Sequence, residues 1–464
     1  MKKHLLIGSL SVSLLAGHLP AQIPLSILEP QEAAANDISS AWREGDTATG
    51  DWGGIRTTLA DHGLEIFGGY TAEVWGNTSG GLKHGTVYTG LLDFGVNLDL
   101  EKAVGWQGAS VSTTWFWLSG RDASEDLVGN FLTISSIAGF NTLRMLELWF
   151  QQNLLDDKIS LRFGQLTADS EFVISDYGST FINGTFGWPA FLYTNIPAGG
   201  PSSPMGTLGA RLALHPVDWF TFQTAVYQGN VYDQNVNRNG FRWRLDGENG
   251  FLFLNEAQAR WNHRDEETGL PGQLKAGMWI QTGQLADTLA ESTNSGNYGW
   301  YFVLDQMLYR EPSAELPAPS GKSQHGKSVG NGRSSKSFKA PVSLEKSDQG
   351  LGFFGRIAFT GEDRNFVNFY FDTGITYKGL IPTRDEDTIG LAFACAQIGN
   401  TAQDTLIHEG SVGVGAEMVL EFTYQAQITK WLVIQPDLQY IINPGGTQDL
   451  ENAFVIGGRA AIIF

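Results

Sequence analysis

Residues 412–428 alternate almost without a break. Val412, Val414, Ala416, Met418, Leu420, Phe422, Tyr424, Ala426 and Ile428 share one face; Glu417, Glu421, Thr423, Gln425 and Gln427 lie on the other. A helix mixes these two sets, whereas a strand separates them. The stretch is also much longer than the about five or six residues of an ordinary soluble strand. Its neighbour repeats the pattern, with Leu432, Ile434, Leu438 and Tyr440 opposite Gln435, Asp437 and Gln439. The last segment sets Phe454, Ile456, Ala460, Ile462 and Phe464 against Arg459. Upstream, Leu92 to Leu100, Ile159 to Phe163, Leu208 to Leu214, Leu274 to Ile280 and Val367 to Tyr377 behave alike.

Long strands with one apolar face and charges on the other suit a barrel with lipid outside and water inside. The pattern predicts strands at 64–75, 86–102, 107–118, 142–153, 158–166, 207–214, 219–228 and 251–261. It predicts further strands at 273–283, 298–310, 351–360, 365–379, 388–398, 411–428, 431–442 and 453–464. The fold class is therefore an all-β, transmembrane, antiparallel β-barrel of about sixteen strands, the even number a closed barrel requires. A short periplasmic segment with a helix precedes it. Connections alternate between tight turns on one rim and long loops on the other (119–141, 167–206, 229–250, 285–297, 399–410). Short periplasmic turns and long outer loops are the outer-membrane arrangement.

The N-terminus supports that placement. Lys2 and Lys3 precede an apolar run from Leu5 to Leu15 that is too short to cross a bilayer and fits a secretory signal peptide. We place cleavage after Ala21, with Ala35 as the later alternative. The organisation is then a leader (1–21), an N-terminal periplasmic segment (22–62) and a barrel (63–464). One turn breaks the rim asymmetry: 311–350 is rich in Ser, Gly, Pro and Lys and reads as a flexible basic insert on the periplasmic side. Within it, Gly321 to Ser328 matches a phosphate-loop pattern. Pro317 and Pro319 before it, and a glycine-rich stretch after it, exclude the strand and helix that such a loop needs.

Composition sharpens this picture. Of 464 residues 57 are Gly, 12% are aromatic and only 17% charged, with a single Cys and a net charge of −19. One cysteine (Cys395) excludes an internal disulfide and any cysteine-only metal site. The acidic balance argues against nucleic-acid binding. No H-E-x-x-H or G-x-S-x-G arrangement occurs, and neither a cofactor nor a metal site is expected. A barrel without a catalytic constellation is most simply a pore.

Several motifs point to a particular kind of pore. Gly50-Asp51-Trp52-Gly53-Gly54-Ile55-Arg56, Arg162-Phe163-Gly164-Gln165 with Glu171-Phe172, and Thr180-Phe181-Ile182-Asn183 are three of them. Asp305-Gln306-Met307, Asp363-Arg364-Asn365, Tyr377 to Pro382 with Arg384, and Ile434 to Ile441 with Asn443-Pro444-Gly445-Gly446 complete the set. Together they resemble the carbohydrate-selective porins of the OprB-like family, over about residues 46–464. The resemblance implies a sixteen-stranded outer-membrane channel for passive sugar uptake. The 311–350 insert departs from that pattern. A general or ion-conducting diffusion porin is the second reading, and an outer-membrane enzyme on the same barrel a distant third.

A sixteen-stranded barrel leaves an aqueous lumen, so selectivity requires something that narrows it. The third long loop, 167–206, is expected to fold inward as a constriction carrying Asp169, Glu171, Asp176, Tyr177, Phe186, Trp188 and Tyr193. Sugars offer hydroxyls to polar side chains and ring faces to aromatic ones. Expected pore-lining contacts are Arg162, Arg211, Glu256, Arg260, Lys275 and Arg356, with Glu417, Gln435, Asp437, Gln439 and Arg459. Expected partners are small saccharides, outer-membrane lipid and the barrel-assembly machinery acting on Phe464, in a monomer or a homotrimer. Deleting 313–348 should leave folding and transport nearly intact, because this segment has little apolar surface to bury. Loss of heat-modifiable gel mobility in the deletion would contradict that.

Overall fold

The structure is a computed structural model that describes residues 45–231, 235–243, 250–264, 267–286, 293–312 and 347–464. The leader and residues 313–346 of the basic insert, with its phosphate-loop-like stretch, lie outside the described residues.

Sixteen antiparallel strands close into one barrel in which every strand pairs with its chain neighbours and the last pairs with the first. They are β1 (Leu64–Ser79), β2 (Gly85–Asp99), β3 (Ala109–Gly120), β4 (Thr142–Leu154), β5 (Ile159–Leu166), β6 (Thr207–Val217), β7 (Phe220–Gln228) and β8 (Phe251–Trp261). The second half comprises β9 (Gly272–Ala286), β10 (Thr293–Arg310), β11 (Gly350–Thr360), β12 (Val367–Lys378), β13 (Thr388–Ile398), β14 (Ala416–Thr429), β15 (Leu432–Ile442) and β16 (Ala453–Ile463). Alternation sorts them as the pattern predicts. On β14, Leu420 and Phe422 face outward at 42% exposure, whereas Glu417, Glu421 and Thr423 point inward and are fully buried.

Two strands are shorter than expected, one ending early and one starting late, for local reasons. The strand expected over 86–102 stops at Asp99, whose Oδ1 accepts the N–H groups of Glu101 (2.9 Å) and Lys102 (3.2 Å). That cap starts a short helix, Leu100–Val104, in place of three strand residues. The strand expected from 411 begins at Ala416. Gly413 has φ +62, a left-handed conformation that ends the extended chain, and Val412 bonds instead to Asp449 on the β15–β16 loop. The 285–297 loop is also shorter than expected, because β9 and β10 extend into it.

The first described residues and the end of β16 meet on the short-turn rim, beside helix α1 (Ile55–Asp61). Arg56 Nη2 donates to the Phe464 carbonyl oxygen at 2.5 Å and to Ile66 O at 3.2 Å. Its Nη1 donates to Thr47 Oγ1 at 2.7 Å, and the guanidinium lies 4.6 Å from the centroid of the Trp52 ring. Ala48 N–H donates to Ile463 O at 2.8 Å. One arginine of the 50–56 motif thus ties the N-terminal segment across the β1–β16 seam. Charge-assisted hydrogen bonds of this kind contribute about 1.5–3 kcal/mol each. Arg56→Ala should lower the temperature at which the barrel loses its compact gel mobility; an unchanged transition would show that the seam closes without it.

Candidate functional site

The β5–β6 connection, residues 167–206, folds into the barrel. A loop inside the wall must hydrogen-bond its own amides and carbonyls, and inward-facing side chains of β8 to β15 supply the partners. Glu421 accepts the N–H groups of Ile182 (2.6 Å) and Asn183 (2.9 Å), and Glu256 accepts Val173 N–H at 2.9 Å. Asp305 accepts the Ser175 hydroxyl at 2.5 Å. Donors serve the carbonyls. Lys275 Nζ reaches Ile174 O (2.7 Å) and Gln435 Nε2 reaches Thr180 O (2.8 Å). Arg356 donates to Val173 O, Thr185 O, Phe186 O and Gly187 O at 2.8–3.2 Å while pairing with Asp372 at 2.6 Å.

Apolar packing completes the seat. Phe181, Phe186, Trp188, Phe191 and Leu192 are buried against wall residues Tyr301, Phe354, Tyr370 and Ala392. Gly352 is required here, because a Cβ at that position would stand 2.1 Å from the Tyr177 ring. The β3–β4 loop (121–141) is held alongside. Glu417 accepts the N–H groups of Phe131 (3.0 Å) and Leu132 (2.5 Å), and Gln439 donates to Ile134 O at 2.9 Å. Arg459 pairs with Glu73 at 2.6 Å and donates to Ser136 Oγ at 2.8 Å.

The loops therefore fill the lumen against β8 to β15, and the opposite wall carries a second cluster. Arg162 and Arg211 stand directly opposite each other on β5 and β6. Like charges in that register repel, and Glu171 of the inward loop sits between them. Its Oε1 lies 2.5 Å from Arg162 Nη1 and its Oε2 lies 2.5 Å from Arg211 Nε. Gln151 Oε1 accepts Arg162 Nε at 2.9 Å, and the Arg162 guanidinium lies 4.1 Å from the centroid of the Trp149 ring. This cluster retains access to water: Arg162 and Glu171 side chains are 19% and 14% exposed.

The expected residues thus divide. Arg162, Arg211 and Glu171 come together. Glu256, Lys275, Arg356, Glu417, Gln435 and Gln439 face the lumen, as expected, but they hold loop backbone in place of open water. Asp437 is buried and accepts from Gln439 at 3.1 Å, and Arg260 is exposed near the short-turn rim. Asp176 is exposed and Tyr177 half-buried. Phe186, Trp188 and Tyr193 turn away from the expected ring-face role, because their rings are enclosed by protein at 1%, 0% and 7% exposure. Trp149, Gln151, Glu73 and Glu421 were not singled out, although all four stand on inward positions of alternating strands. Arg144 is a further buried cation, beside Phe140, and its guanidinium has no acceptor among the described residues.

A closed sixteen-stranded antiparallel barrel with a loop folded into its lumen is the architecture of an outer-membrane porin. The comparisons specify which kind. The family model described as "Carbohydrate-selective porin, OprB family" matches residues 83–464, and the chain belongs to that family. It is a passive, carbohydrate-selective channel of the outer membrane, and its solutes are sugars. Porin B of Pseudomonas aeruginosa is 24% identical over 456 residues, covering 89% of this chain and 90% of that protein. A putative porin, QuiX, of Acinetobacter baylyi is 22% identical, covering 94% and 96%. Among solved structures, the high-pH structure of Pseudomonas putida OprB superposes with a TM-score of 0.75 at 23% identity, covering 91% of this chain and 99% of that one.

One loop carboxylate makes the constriction sensitive to pH. Burial pushes Asp169 from 3.8 up to about 7, against the lowering effect of the Ser203 N–H and the Thr167 hydroxyl. Between about pH 4 and about pH 7 the folded loop keeps a proton that the unfolded chain has released. Stability therefore falls as pH rises through that window, and this contribution is lost above about 7. Amide exchange within 167–206, corrected for intrinsic rate, should accelerate across the window in the wild type and accelerate less in Asp169→Asn. A variant that keeps the full pH dependence would assign it to other groups.

Proposed function

We propose that sugars pass between the inward loop and the wall formed by β16 and β1 to β6, and that the Arg162–Glu171–Arg211 cluster is the contact that selects them. The observation that supports this reading is the cluster itself. Two guanidiniums and a carboxylate are held rigidly by one another, with donors and acceptors fixed in place and partly open to water. A sugar hydroxyl both donates and accepts, so it exchanges with such a group at small cost, and weak contacts let the solute leave. Arg459, paired with Glu73 on the β1–β16 side, and Arg260, Asp176 and Tyr177, which keep some exposure, are secondary sugar contacts in this reading. The enclosed rings of Phe186, Trp188 and Tyr193, and the buried Glu256, Lys275, Arg356, Glu417, Gln435 and Gln439, act through the loops they hold, and Asp437 acts through its neighbour Gln439. Phe464 is the residue we propose the barrel-assembly machinery reads before the seam closes over it.

Planar-bilayer conductance with mono- and oligosaccharides tests this reading. In the wild type, added sugar should reduce ion current. Arg162→Ala should weaken that block about ten- to a hundredfold, the loss of one charge-assisted hydrogen bond, while raising basal conductance. If sugar blocks the variant as well as the wild type, the cluster is not the selecting contact. If no sugar blocks the wild type and liposome swelling follows solute size alone, the channel behaves as a general diffusion porin.

A further inference from the structure

Arg144 stands on the outer half of β4, between the outward Leu143 and the covered Met145. Its side chain is fully buried, and Nε, Nη1 and Nη2 have no acceptor among the described residues. The other buried lumenal arginines differ from it. Arg211 meets Glu171, Arg356 meets Asp372 and Arg459 meets Glu73.

The sheet explains why Arg144 has no such partner. Phe116 stands directly opposite it on β3, and Leu118 is the diagonal neighbour. Leu146, the extra residue of a bulge in the β3–β4 ladder, packs with Leu91, Phe116, Leu118 and Ile137. The Phe140 ring centroid lies 5.2 Å from the guanidinium carbon, and Phe140 packs in turn on Ala198, Met205 and Val231. On the other edge, β4 pairs with β5 only from Leu148 onward. Gln165 fills that edge as a donor, its Nε2 reaching Met145 O and Leu146 O at 2.9 Å, while its Oε1 accepts Trp243 Nε1 at 2.6 Å. Glu147, further along β4, accepts the Thr167 N–H at 3.0 Å and the Thr167 hydroxyl at 2.9 Å.

A guanidinium remains a cation and carries several N–H donors. Enclosed by hydrocarbon, an uncompensated cation is strongly destabilising. The face of Phe140 relieves only part of that cost. We propose that Arg144 binds a monatomic monovalent anion, a halide such as chloride, enclosed between β3, β4 and the inward loops. A halide accepts several N–H groups from one side and asks nothing of its apolar neighbours. A carboxylate or phosphate would bring further oxygens to Phe116, Leu118 and Leu146, which have no donors for them. A water molecule would accept from the guanidinium but leave its charge uncompensated. The inference is independent of how sugars are selected.

Crystals of the full-length protein grown in bromide in place of chloride, with diffraction measured at the bromine edge, locate the anion directly. An anomalous peak is expected at hydrogen-bonding distance from the Arg144 guanidinium. In solution, the temperature at which the compact gel mobility is lost should rise about 1–2 °C for each tenfold increase in chloride, with gluconate holding ionic strength constant. Arg144→Met should abolish both the peak and that dependence, and Arg144→Lys should keep a weaker one. Heat-modifiable mobility reports that the variants fold, and the wild-type peak decides the matter if the methionine variant does not. Absence of the peak, or a water in its place, would overturn the proposal. So would a chloride dependence that persists unchanged in Arg144→Met. A peak without any chloride dependence in solution would make it an adventitious ion only, and would overturn the proposal as well.

Discussion

Polypeptide folded inside a barrel has little water with which to satisfy its backbone, so the wall must do it. This requirement organises the inner face of β8 to β15. Glu256, Glu421 and Asp305 accept, and Lys275, Arg356 and Gln435 donate, and each of them reaches at least one main-chain group of the 167–206 loop. Each is a buried polar group that would cost about 1–3 kcal/mol if left unpaired, more where it is charged. Loop and wall are therefore mutually dependent. Removing Arg356 would take a donor from four carbonyls and the cation from Asp372 together, so loop and wall respond as one cooperative object.

The same economy shapes the passage that remains. Arg162 and Arg211 repel across one register of the sheet, and the loop delivers Glu171 between them. Seating the loop and neutralising the wall are one event. The net charge of −19 consequently says little about ion preference. Much of it lies in turns and loops, while the lumen combines the ion pairs of Arg162, Arg211, Arg356 and Arg459 with carboxylates held by loop backbone N–H groups.

Alternation made the wall readable in advance, because period two assigns each residue to lipid or lumen without knowledge of its partner. It predicted that Glu256, Arg356, Glu417 and Gln439 point inward. What they meet was not legible, because loops 121–141 and 167–206 carry no periodicity to reveal how they fold. Phe186 and Trp188 illustrate the limit. An aromatic ring in an inward loop serves a sugar or a core equally well, and the choice rests on Phe354 and Tyr370, far away in sequence. Local endings were missed for a related reason: the Asp99 cap and the backbone turn at Gly413 override an apolar pattern that continues past them. The Arg162–Glu171–Arg211 cluster was visible as single residues and hidden as a triad, since a cross-strand register joins two of its members.

The Arg56 bond to Phe464 and the pairing of β1 with β16 join residues from the two ends of the barrel-forming chain. No growing polypeptide can pair its first strand with β16 before residues 453–463 have appeared. Every other strand pair is between neighbours in sequence and can form early. Maturation therefore ends in a single ring-closing step that checks for completeness: a chain cut short anywhere has no final strand to offer its first and remains an open sheet with two bare edges. Such edges invite pairing with other chains, so quality control over this protein is written into its connectivity.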